Sequence, residues 1–392
     1  MNYISSLLSF IPDKTLEAFA LKTTVNKYSK KLQGELLFKL LFYCIVTEKD
    51  NSLRVRGMQS ALESSLFRAI SPYDSATSIA HSSISDRLNT IRYKYFEDIF
   101  LLSVKKYKSS LNVLQKQILR FDSTIVALSG KLLNIGYQIK GSAAEKCKLL
   151  KFTIGYSDIP DCICFYTEQT YTSENSALKA AIISNEAITK QTINVFDRGI
   201  SSRANYDAMT DKGILYISRI QPNATHTILT GNTLKKSIET ATLTIISDTW
   251  VYLYAQHTKK SKHPVRIINA LKKSDGEKIS FITNIGKMKA GEITAIYKSR
   301  WQIEIFFKFI KQHLNFSHLL NRSENGIKVV MYVTMITAIL IAQYKNINNL
   351  KGYKIVKRKF VQDLETDIIY NIVILCGGDS KKAKRLLYKK SP

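Results

Sequence analysis

Four polar side chains in the last third of the sequence follow a helical spacing. Tyr297, Arg300, Glu304 and Lys311 are separated by three, four and seven residues, so on one helix they would share a stripe about 60° wide. The spacing predicts a single amphipathic helix that carries a carboxylate, two cations and a phenol, a set suited to a metal ion and a phosphate. A solvated helix with mixed charges is the alternative. The adjoining apolar face consists of Ile296, Ile303, Phe306, Phe307, Ile310 and Leu314.

Two aspartates each follow a segment that is predicted to be a β-strand. Asp122 comes after Arg120-Phe121, and Asp197 comes after Val195-Phe196. A carboxylate at the end of a buried strand is held rigidly, and hard cations such as Mg²⁺ prefer oxygen ligands. Together with Glu304, these residues could hold two ions about 4 Å apart for in-line displacement at a phosphodiester. Each aspartate alone is more typical of a turn or a cap, and the helical stripe is what favours the site.

The charge of the chain points to a polyanionic partner. The 392 residues carry a formal net charge of +27, which is far more than solubility needs, and nucleic acid is the usual partner of such an excess. We therefore expect binding that weakens steeply with salt. The basic residues extend into the tail, which contains Lys381, Lys382, Lys384, Arg385, Lys389 and Lys390. This tail either contacts phosphates or is simply a solubilising surface.

Neither a disulfide framework nor a membrane span is predicted. The longest apolar run, 329–342, is shorter than the ~18 residues that a bilayer requires and indicates a buried helix. No signal peptide is recognised, so we expect a cytoplasmic protein without a membrane partner. Five dispersed cysteines lack a Cys-x-x-Cys pair and are interpreted as reduced core residues: Cys44, Cys147, Cys162, Cys164 and Cys376.

The predicted secondary structure changes near residue 113, from helices to short β-rich segments. Residues 1–112 are predicted to form helices. The segment 82–88, in which three serines precede Arg87, is either a helix that enters a DNA groove or an ordinary surface helix. After 113 come strands, then a helix over 177–187 and a further strand over 192–196, which indicates an α/β layer. The remaining strands are predicted at 118–121, 149–156, 162–171, 214–220, 226–229, 241–246, 265–270 and 279–283.

The order and context of the three acids resemble a known family. Tyr297-x-x-Arg300-x-x-x-Glu304 followed by Lys311 resembles the signature of the DDE transposases of the IS4 family of insertion sequences. Asp122-Ser123-Thr124 and Asp197-Arg198-Gly199 also match, and the similarity extends from about 115 to 345. The acids are 75 and 107 residues apart, which leaves room for a β insertion between the second and the third.

The resemblance implies an α/β fold. Its RNase H-like catalytic core would be interrupted by a mainly β insertion and preceded by an α-helical N-terminal domain. The corresponding segments are a helical DNA-binding domain (1–112), the first part of the core (113–204), the insertion (205–290), the second part of the core (291–345) and a basic helical tail (346–392).

The same resemblance implies roles for individual residues. Asp122, Asp197 and Glu304 would be catalytic and would bind two Mg²⁺ ions, for which Mn²⁺ could substitute. Phosphates of the DNA would be contacted by Tyr297, Arg300, Lys311, Lys308 and Arg198, although Lys308 could equally pair with Glu304. The implied activity is cut-and-paste transposition by a bacterial, nucleoid-associated homodimer on double-stranded DNA, through hairpin ends.

Two other functions remain open. A Mg²⁺-dependent nuclease or resolvase would share the carboxylates but would not transfer strands, and a non-catalytic relative would only bind DNA. A serine nucleophile at Ser123 is disfavoured because no histidine lies in a triad context. His257 and His263 are interpreted as part of a basic loop that contacts DNA, and Trp250 as a core residue rather than one that stacks on an extruded base.

Overall fold

The structure is a computed structural model that divides the chain into two compact units. It describes residues 11–48, 54–71, 78–109, 118–128, 136, 148–255, 259–316 and 323–388, without the side chains of 128, 231–236, 255 and 259. One unit comprises Met1–Ser110, Leu132–Ile135 and Lys308–Pro392, and the other Leu111–Lys131 and Gly136–Phe307. These units divide the chain differently from the five predicted segments, whose functional roles stay a prediction.

The described elements alternate between helical and β-rich stretches. The helices are α1 (Asp13–Thr23), α2 (Gly34–Thr47), α3 (Val55–Glu63), α4 (Ser65–Ile70), α5 (His81–Thr90), α6 (Tyr93–Ser109), α7 (Glu174–Ser184), α8 (Glu186–Thr189), α9 (Arg203–Asp211), α10 (Ala290–Lys298), α11 (Trp301–His313), α12 (Glu324–Ile347), α13 (Tyr353–Leu375) and α14 (Ser380–Leu387). The strands are β1 (Ile118–Leu128), β2 (Lys148–Tyr156), β3 (Pro160–Tyr166), β4 (Ile193–Val195), β5 (Leu215–Ile220), β6 (His226–Glu239), β7 (Leu243–Ala255), β8 (Lys259–Lys260), β9 (Val265–Lys272) and β10 (Lys278–Thr283).

The first unit is built around α12. This helix begins at Ser323, whose side chain accepts a hydrogen bond from the backbone N–H of Gly326 and caps the first turn. It is long and apolar enough to cross a membrane, but 89% of its apolar window is buried inside the protein. A helix that is apolar on all sides must be covered by neighbours, and α2, α5 and α6 pack against it. It is the core helix of the first unit.

The second unit contains one large mixed sheet with helices on both faces, so it is an α/β structure. The strand order is β3-β2-β1-β4-β5-β10-β9-β7-β6, and β8 pairs with β7. Strands β1, β4 and β5 are mutually parallel, whereas the pairs on either side of them are antiparallel. The strands of the segment 205–290, predicted as a β insertion, belong to the same sheet as β1 and β4.

Alternating side chains give the sheet two apolar faces. Leu119 and Phe121 of β1 share one buried cluster with residues of α7 and α9. Val195 and Ile217, on the neighbouring strands, belong to a different cluster that α10 covers. The polar residues of β1 at even positions, including Asp122, are consequently directed to the α10 face.

Several sequence predictions need correction. The polar stripe does not lie on one helix, because α10 ends at Lys298 and α11 begins at Trp301. Asp122 lies within β1 and not after it, since pairing with β2 continues to Leu128. The strand predicted to reach 171 ends at Tyr166.

The interpretation of the cysteines was also wrong in part. Cys44 and Cys162 are buried, but Cys376 is exposed because it follows the end of α13. Cys147 lies outside the described residues.

A buried arginine joins β9 to the chain that leads into α10. The Arg266 side chain, 8% exposed, forms two hydrogen bonds of 2.7 and 2.6 Å with the Asp248 carboxylate. It also donates to the carbonyl oxygens of Ile285 and Met288, at 3.1 and 2.7 Å. Arg266 binds both Asp248 of β7 and the loop that precedes α10. Loss of the Arg266 side chain would therefore remove a contact from the strand and from the loop.

We predict that Asp248→Ala lowers the free energy of unfolding by about 3 kcal/mol, because it leaves the buried Arg266 cation without its counter-charge. Urea denaturation measures this change. Glu239→Ala is the control, since the ion pair between Glu239 and Lys273 is exposed, and it should change stability much less. Equal losses in both variants would contradict the role of Arg266.

Candidate active site

The register of the parallel strands aligns three charged residues. Arg120 of β1 is level with Val195 of β4, and Val195 is level with Ile217 of β5. Two residues further along each strand direction stand Asp122, Asp197 and Arg219, on the face that α10 covers. Neighbouring strands are about 4.8 Å apart, so the alignment brings the two aspartates close together although 75 residues separate them in the sequence.

The segment between α10 and α11 brings the polar stripe to this row. The Tyr297 hydroxyl donates to Asp197 Oδ1 at 3.1 Å. Arg300 Nη2 is 2.5 Å from Glu304 Oε1, and Arg300 Nη1 is 4.0 Å from Asp122 Oδ2. The terminal nitrogens of one guanidinium are about 2.3 Å apart, so the carboxylates of Asp122 and Glu304 lie within roughly 9 Å of each other. The structure thus groups all three predicted acids around Arg300.

Contacts from the sheet hold this segment in place. The Arg120 side chain is buried, and its Nε donates to the carbonyl and the hydroxyl oxygens of Ser299, at 2.9 and 3.1 Å. The rings of Tyr156 and Phe306 stack with centroids 4.7 Å apart, and the Phe281 ring meets Tyr297 edge-on at 5.2 Å. These contacts explain why the chain turns at Ser299, and the turn is what directs Arg300 to the acids.

The loop after β4 approaches α7 closely. A Cβ atom at Gly199 would lie 2.6 Å from Glu174 Oε2 and 2.9 Å from Leu178 Cδ1, so the absence of a side chain there permits the approach. The carboxylate of Glu174 also raises the pKa of Asp122. Glu174, at the start of α7, is therefore a fourth acid near the cluster.

The two aspartates have pKa values shifted in opposite directions. Burial, the largest effect, raises the pKa of Asp122 to about 6, against the lowering effects of the Ser123 backbone N–H and of Arg300. Burial also acts to raise the pKa of Asp197, but the Arg198 backbone N–H, Arg300 and the Tyr297 hydroxyl together lower it below its ordinary value. One aspartate of the pair therefore retains a proton more readily than the other.

The donor atoms fit a hard divalent cation, although the acids are not arranged around one. Carboxylate oxygens are the ligands that Mg²⁺ prefers. Within the described residues, however, no group of three or more His, Cys, Asp and Glu side chains is placed to hold a metal ion. Glu304 is engaged by Arg300. Binding of an ion by all three acids would need the Arg300–Glu304 pair to separate.

The other predicted site residues have more peripheral positions. Lys308 and Lys311 follow one and two turns after Glu304 on α11, where Lys308 is exposed and Lys311 is partly buried. Arg198 is exposed, and its Nη1 is 3.4 Å from Gln221 Oε1. Ser123 forms a 2.8 Å hydrogen bond with the Thr153 hydroxyl and has no histidine partner within the described part of the chain.

The aromatic and histidine residues singled out in the β-rich segment do not belong to the acid cluster where the structure describes them. Trp250 is partly buried on β7. His263 Nε2 is 2.7 Å from Asp211 Oδ1, which also binds the Lys262 ammonium. His257 lies outside the described residues.

Sequence reasoning missed the role of Arg219. The sequence analysis gave Arg219 no role, whereas the structure places Arg219 beside Asp197, whose pKa it lowers. Arg219 Nε is buried without a hydrogen-bond partner. The alternation of side chains along β5 could have placed Arg219 on the same face as the acids. This inference requires the parallel register of β4 and β5, which the sequence does not give. Arg219 also lines a cavity of about 730 Å³ with Tyr297, Lys272, Lys273 and Lys298.

These observations define an α/β protein with an acidic cluster, braced by arginine, on the α10 face of its parallel strands. The model of the family described as the transposase DDE domain matches residues 114–341, which include all three acids. The chain belongs to this family.

Curated proteins similar to this chain are also named as transposases. A putative transposase y4zB of Sinorhizobium fredii is 29% identical over 164 residues, which are 42% of this chain and 46% of that protein. A putative transposase for insertion sequence element IS4SA of Synechocystis sp. is 25% identical over 257 residues, 62% of this chain and 65% of that protein. A probable transposase for insertion sequence element IS5377 of Geobacillus stearothermophilus is 21% identical over 159 residues, 41% of each. The chain thus spans between 41% and 65% of the length of these relatives.

We predict that Asp122→Asn stabilises the metal-free protein at pH 8 by about 3 kcal/mol relative to wild type. The pKa of Asp122 rises from 3.8 to about 6 on folding, so the folded state binds the proton more tightly and loses stability as the pH rises from about 4 to 6. Asparagine removes this penalty and can still accept the hydrogen bond from the Ser123 N–H.

Urea denaturation in EDTA at pH 4, 6 and 8 measures the difference between wild type and Asp122→Asn. The gain should shrink towards zero near pH 4. A difference that is constant across this range would contradict the burial of an ionised Asp122.

Proposed function

We propose that this protein is a DNA transposase that cuts at the ends of its own insertion sequence and joins the freed 3′-hydroxyls to target DNA. The observation that carries the proposal is the convergence of Asp122, Asp197 and Glu304 around Arg300, in a chain that belongs to the transposase DDE domain family. The IS4 family is the finer assignment, supported by the resemblance of the Tyr-Arg-Glu-Lys spacing.

The core of the fold is proposed to be RNase H-like. Support comes from five strands in the order β3-β2-β1-β4-β5, in which β1, β2 and β3 are antiparallel and β1, β4 and β5 are parallel. In this arrangement Asp122 lies on the central strand and Asp197 follows its parallel neighbour. Asp122 is thereby held by the backbone pairing of the sheet, and Asp197 follows closely on a strand of the sheet.

The proposed roles of the residues follow from their contacts. Asp122, Asp197 and Glu304 would hold Mg²⁺ or Mn²⁺ ions, which when bound would activate an attacking oxygen and stabilise the leaving one. Tyr297 orients Asp197 through its hydroxyl. Arg300, together with Arg219, supplies positive charge beside the acids, where a scissile phosphate needs a partner.

The partners are proposed on the basis of charge and chemistry. A net charge of +27 suits double-stranded DNA at both the ends and the target. Because two ends must be cut and joined together, the active form is proposed to be a homodimer, in the bacterial cytoplasm at the nucleoid. Hairpin ends, and phosphate contacts by Lys308, Lys311 and Arg198, are further parts of the proposal that rest on the resemblance.

We predict that Asp122→Asn, Asp197→Asn and Glu304→Gln each abolish strand cleavage, a loss on the order of 10³-fold or more, while DNA binding persists. The substrate is a supercoiled plasmid that carries the gene with its flanking DNA, incubated with Mg²⁺ or Mn²⁺. Glu168→Gln is the control, because Glu168 is an exposed acid beyond the far end of β3, and it should cleave as wild type does. Substantial cleavage by any of the three variants removes that residue from the site.

The products distinguish the alternatives. A transposase excises the element and joins it to a second plasmid. A nuclease or resolvase releases cut DNA without joined products, and a non-catalytic relative binds without cutting in either metal.

We predict that Arg300→Met lowers the Tm of the protein in EDTA, because Asp122 and Glu304 lose a guanidinium whose side chain is only 14% exposed. The cost is roughly 1–3 kcal/mol, as for a buried charged group left without its partner. Mn²⁺ should then raise the Tm of Arg300→Met more than that of wild type, since no cation competes for Glu304. Scanning calorimetry with and without Mn²⁺ measures both effects.

The matched control is Arg203→Met. Arg203 donates to the carbonyl oxygen of Ser201 at 2.7 Å and not to an acid of the cluster. An Mn²⁺ response of Arg300→Met that is no larger than those of wild type and Arg203→Met would refute the charge-balancing role.

A further inference from the structure

The loop between α1 and α2 presents an unusual group of exposed residues. In the segment 24–33, the side chains of Lys27, Lys30 and Lys31 are exposed, and Tyr28 is 91% exposed. The segment contains no acidic residue. The Lys27 ammonium lies 5.1 Å from the centroid of the Tyr28 ring. We call the segment 24–33 the Tyr28 loop.

Hydrogen bonds from within the same unit hold the Tyr28 loop in one conformation. Arg87 of α5 donates to the carbonyl oxygens of Val25 and Leu32, at 2.7 and 2.9 Å. Asn26 Oδ1 accepts from the Gly34 N–H at 2.7 Å, and the Ser29 hydroxyl donates to the carbonyl of Leu32 at 2.8 Å. The loop is therefore pre-organised before any partner arrives.

The backbone of the loop is strained at the exposed tyrosine. Tyr28 has a φ value of +68°, in the left-handed region that residues other than glycine seldom adopt; the φ of +52° at Thr24 belongs to the cap that ends α1. Such strain persists only where the surroundings enforce it, and it is concentrated at functional sites. Because the Tyr28 ring is 91% exposed, it adds little packing that would offset this strain in the folded state.

The use of Arg87 inside the protein changes how α5 is interpreted. The sequence suggested that the helix beginning near Ser82 could enter a DNA groove with Arg87 following it. In the structure the Arg87 side chain is bound to two carbonyls of the Tyr28 loop. The lysines of the loop, by contrast, are exposed, beside a cavity of about 690 Å³ that is also lined by Arg92 and Asp86.

We propose that the Tyr28 loop is a contact surface for duplex DNA, with Lys27, Lys30 and Lys31 on phosphates and the Tyr28 ring at the edge of a groove. The proposal rests on the proposed transposase function. Three lysines without an intervening acid match the charge of a phosphate backbone, and an exposed ring beside them supplies an apolar contact to sugars or base edges. The rigid loop binds without an ordering cost.

The first experiment measures the salt dependence of binding to a fluorescein-labelled duplex of about 30 base pairs. Lys27→Ala/Lys30→Ala/Lys31→Ala should reduce the slope of log K against log [salt] by about 2 to 3, at roughly 0.9 per lost phosphate contact. The control is Lys14→Ala/Lys105→Ala/Lys359→Ala, which removes the same charge from three scattered exposed lysines and should leave the slope almost unchanged. Equal slopes for the two triple variants would overturn the proposal.

The second experiment isolates the ring. Tyr28→Asn removes it, yet asparagine tolerates the left-handed backbone, so the Tm should equal or exceed that of wild type. Affinity for the duplex should fall about fivefold with an unchanged salt slope, and Tyr28→Phe should retain the wild-type affinity. If Tyr28→Asn binds as wild type does, the ring has no contact with DNA and the groove contact is refuted.

The outcomes separate this proposal from the function on which it rests. A wild-type protein that does not bind the duplex at all contradicts the transposase proposal itself. Salt-dependent wild-type binding, together with loop variants that match their controls, contradicts the Tyr28 loop alone.

Discussion

The site depends on one electrostatic constraint: carboxylates that the sheet brings together must share a counter-charge. Parallel pairing of β1 with β4 aligns Asp122 and Asp197 whatever their ionisation states, and burial then opposes charge on both. Arg300 meets Glu304 and Asp122 and lowers the pKa of Asp197. Because Arg300 acts on all three acids, the turn that positions Arg300 is as important as the acids themselves.

That turn shows where reasoning from the sequence ends. The amphipathic period of 3.6 residues runs through 296–314 without interruption, so it predicts one helix. At the break between the two helices, Ser299 accepts hydrogen bonds from Arg120, a residue 179 positions away in the sequence. Local periodicity contains no information about such a contact. The three acids could be picked out from the sequence because the spacing of a motif can be recognised without knowing the path of the backbone. The contacts that hold these acids in place could not.

The extent of the sheet has the same explanation. Most strands were predicted from their β-branched and apolar runs, and the segment 205–290 was predicted to be a mainly β insertion between the two parts of the core. Pairing of β5 with β4 places the strands of this segment in the same sheet as β1. The register also sets Phe281 opposite Arg219, so that the strand from the supposed insertion provides the ring against which Tyr297 packs. Strand propensity identifies segments, but only long-range register shows which residues they bring together.

The opposite pKa shifts of Asp122 and Asp197 give the cluster a built-in asymmetry. Near neutral pH Asp197 is ionised, whereas Asp122, with a pKa of about 6, is close to its midpoint in slightly acidic solution. Any cation that binds Asp122 must therefore compete with a proton there, while Asp197 offers its charge at once. Burial dominates at Asp122, whereas at Asp197 the Arg198 N–H, Arg300 and the Tyr297 hydroxyl together outweigh it. The readiness of the two acids to accept a divalent ion would thus differ because of their surroundings and not because of their identical side chains.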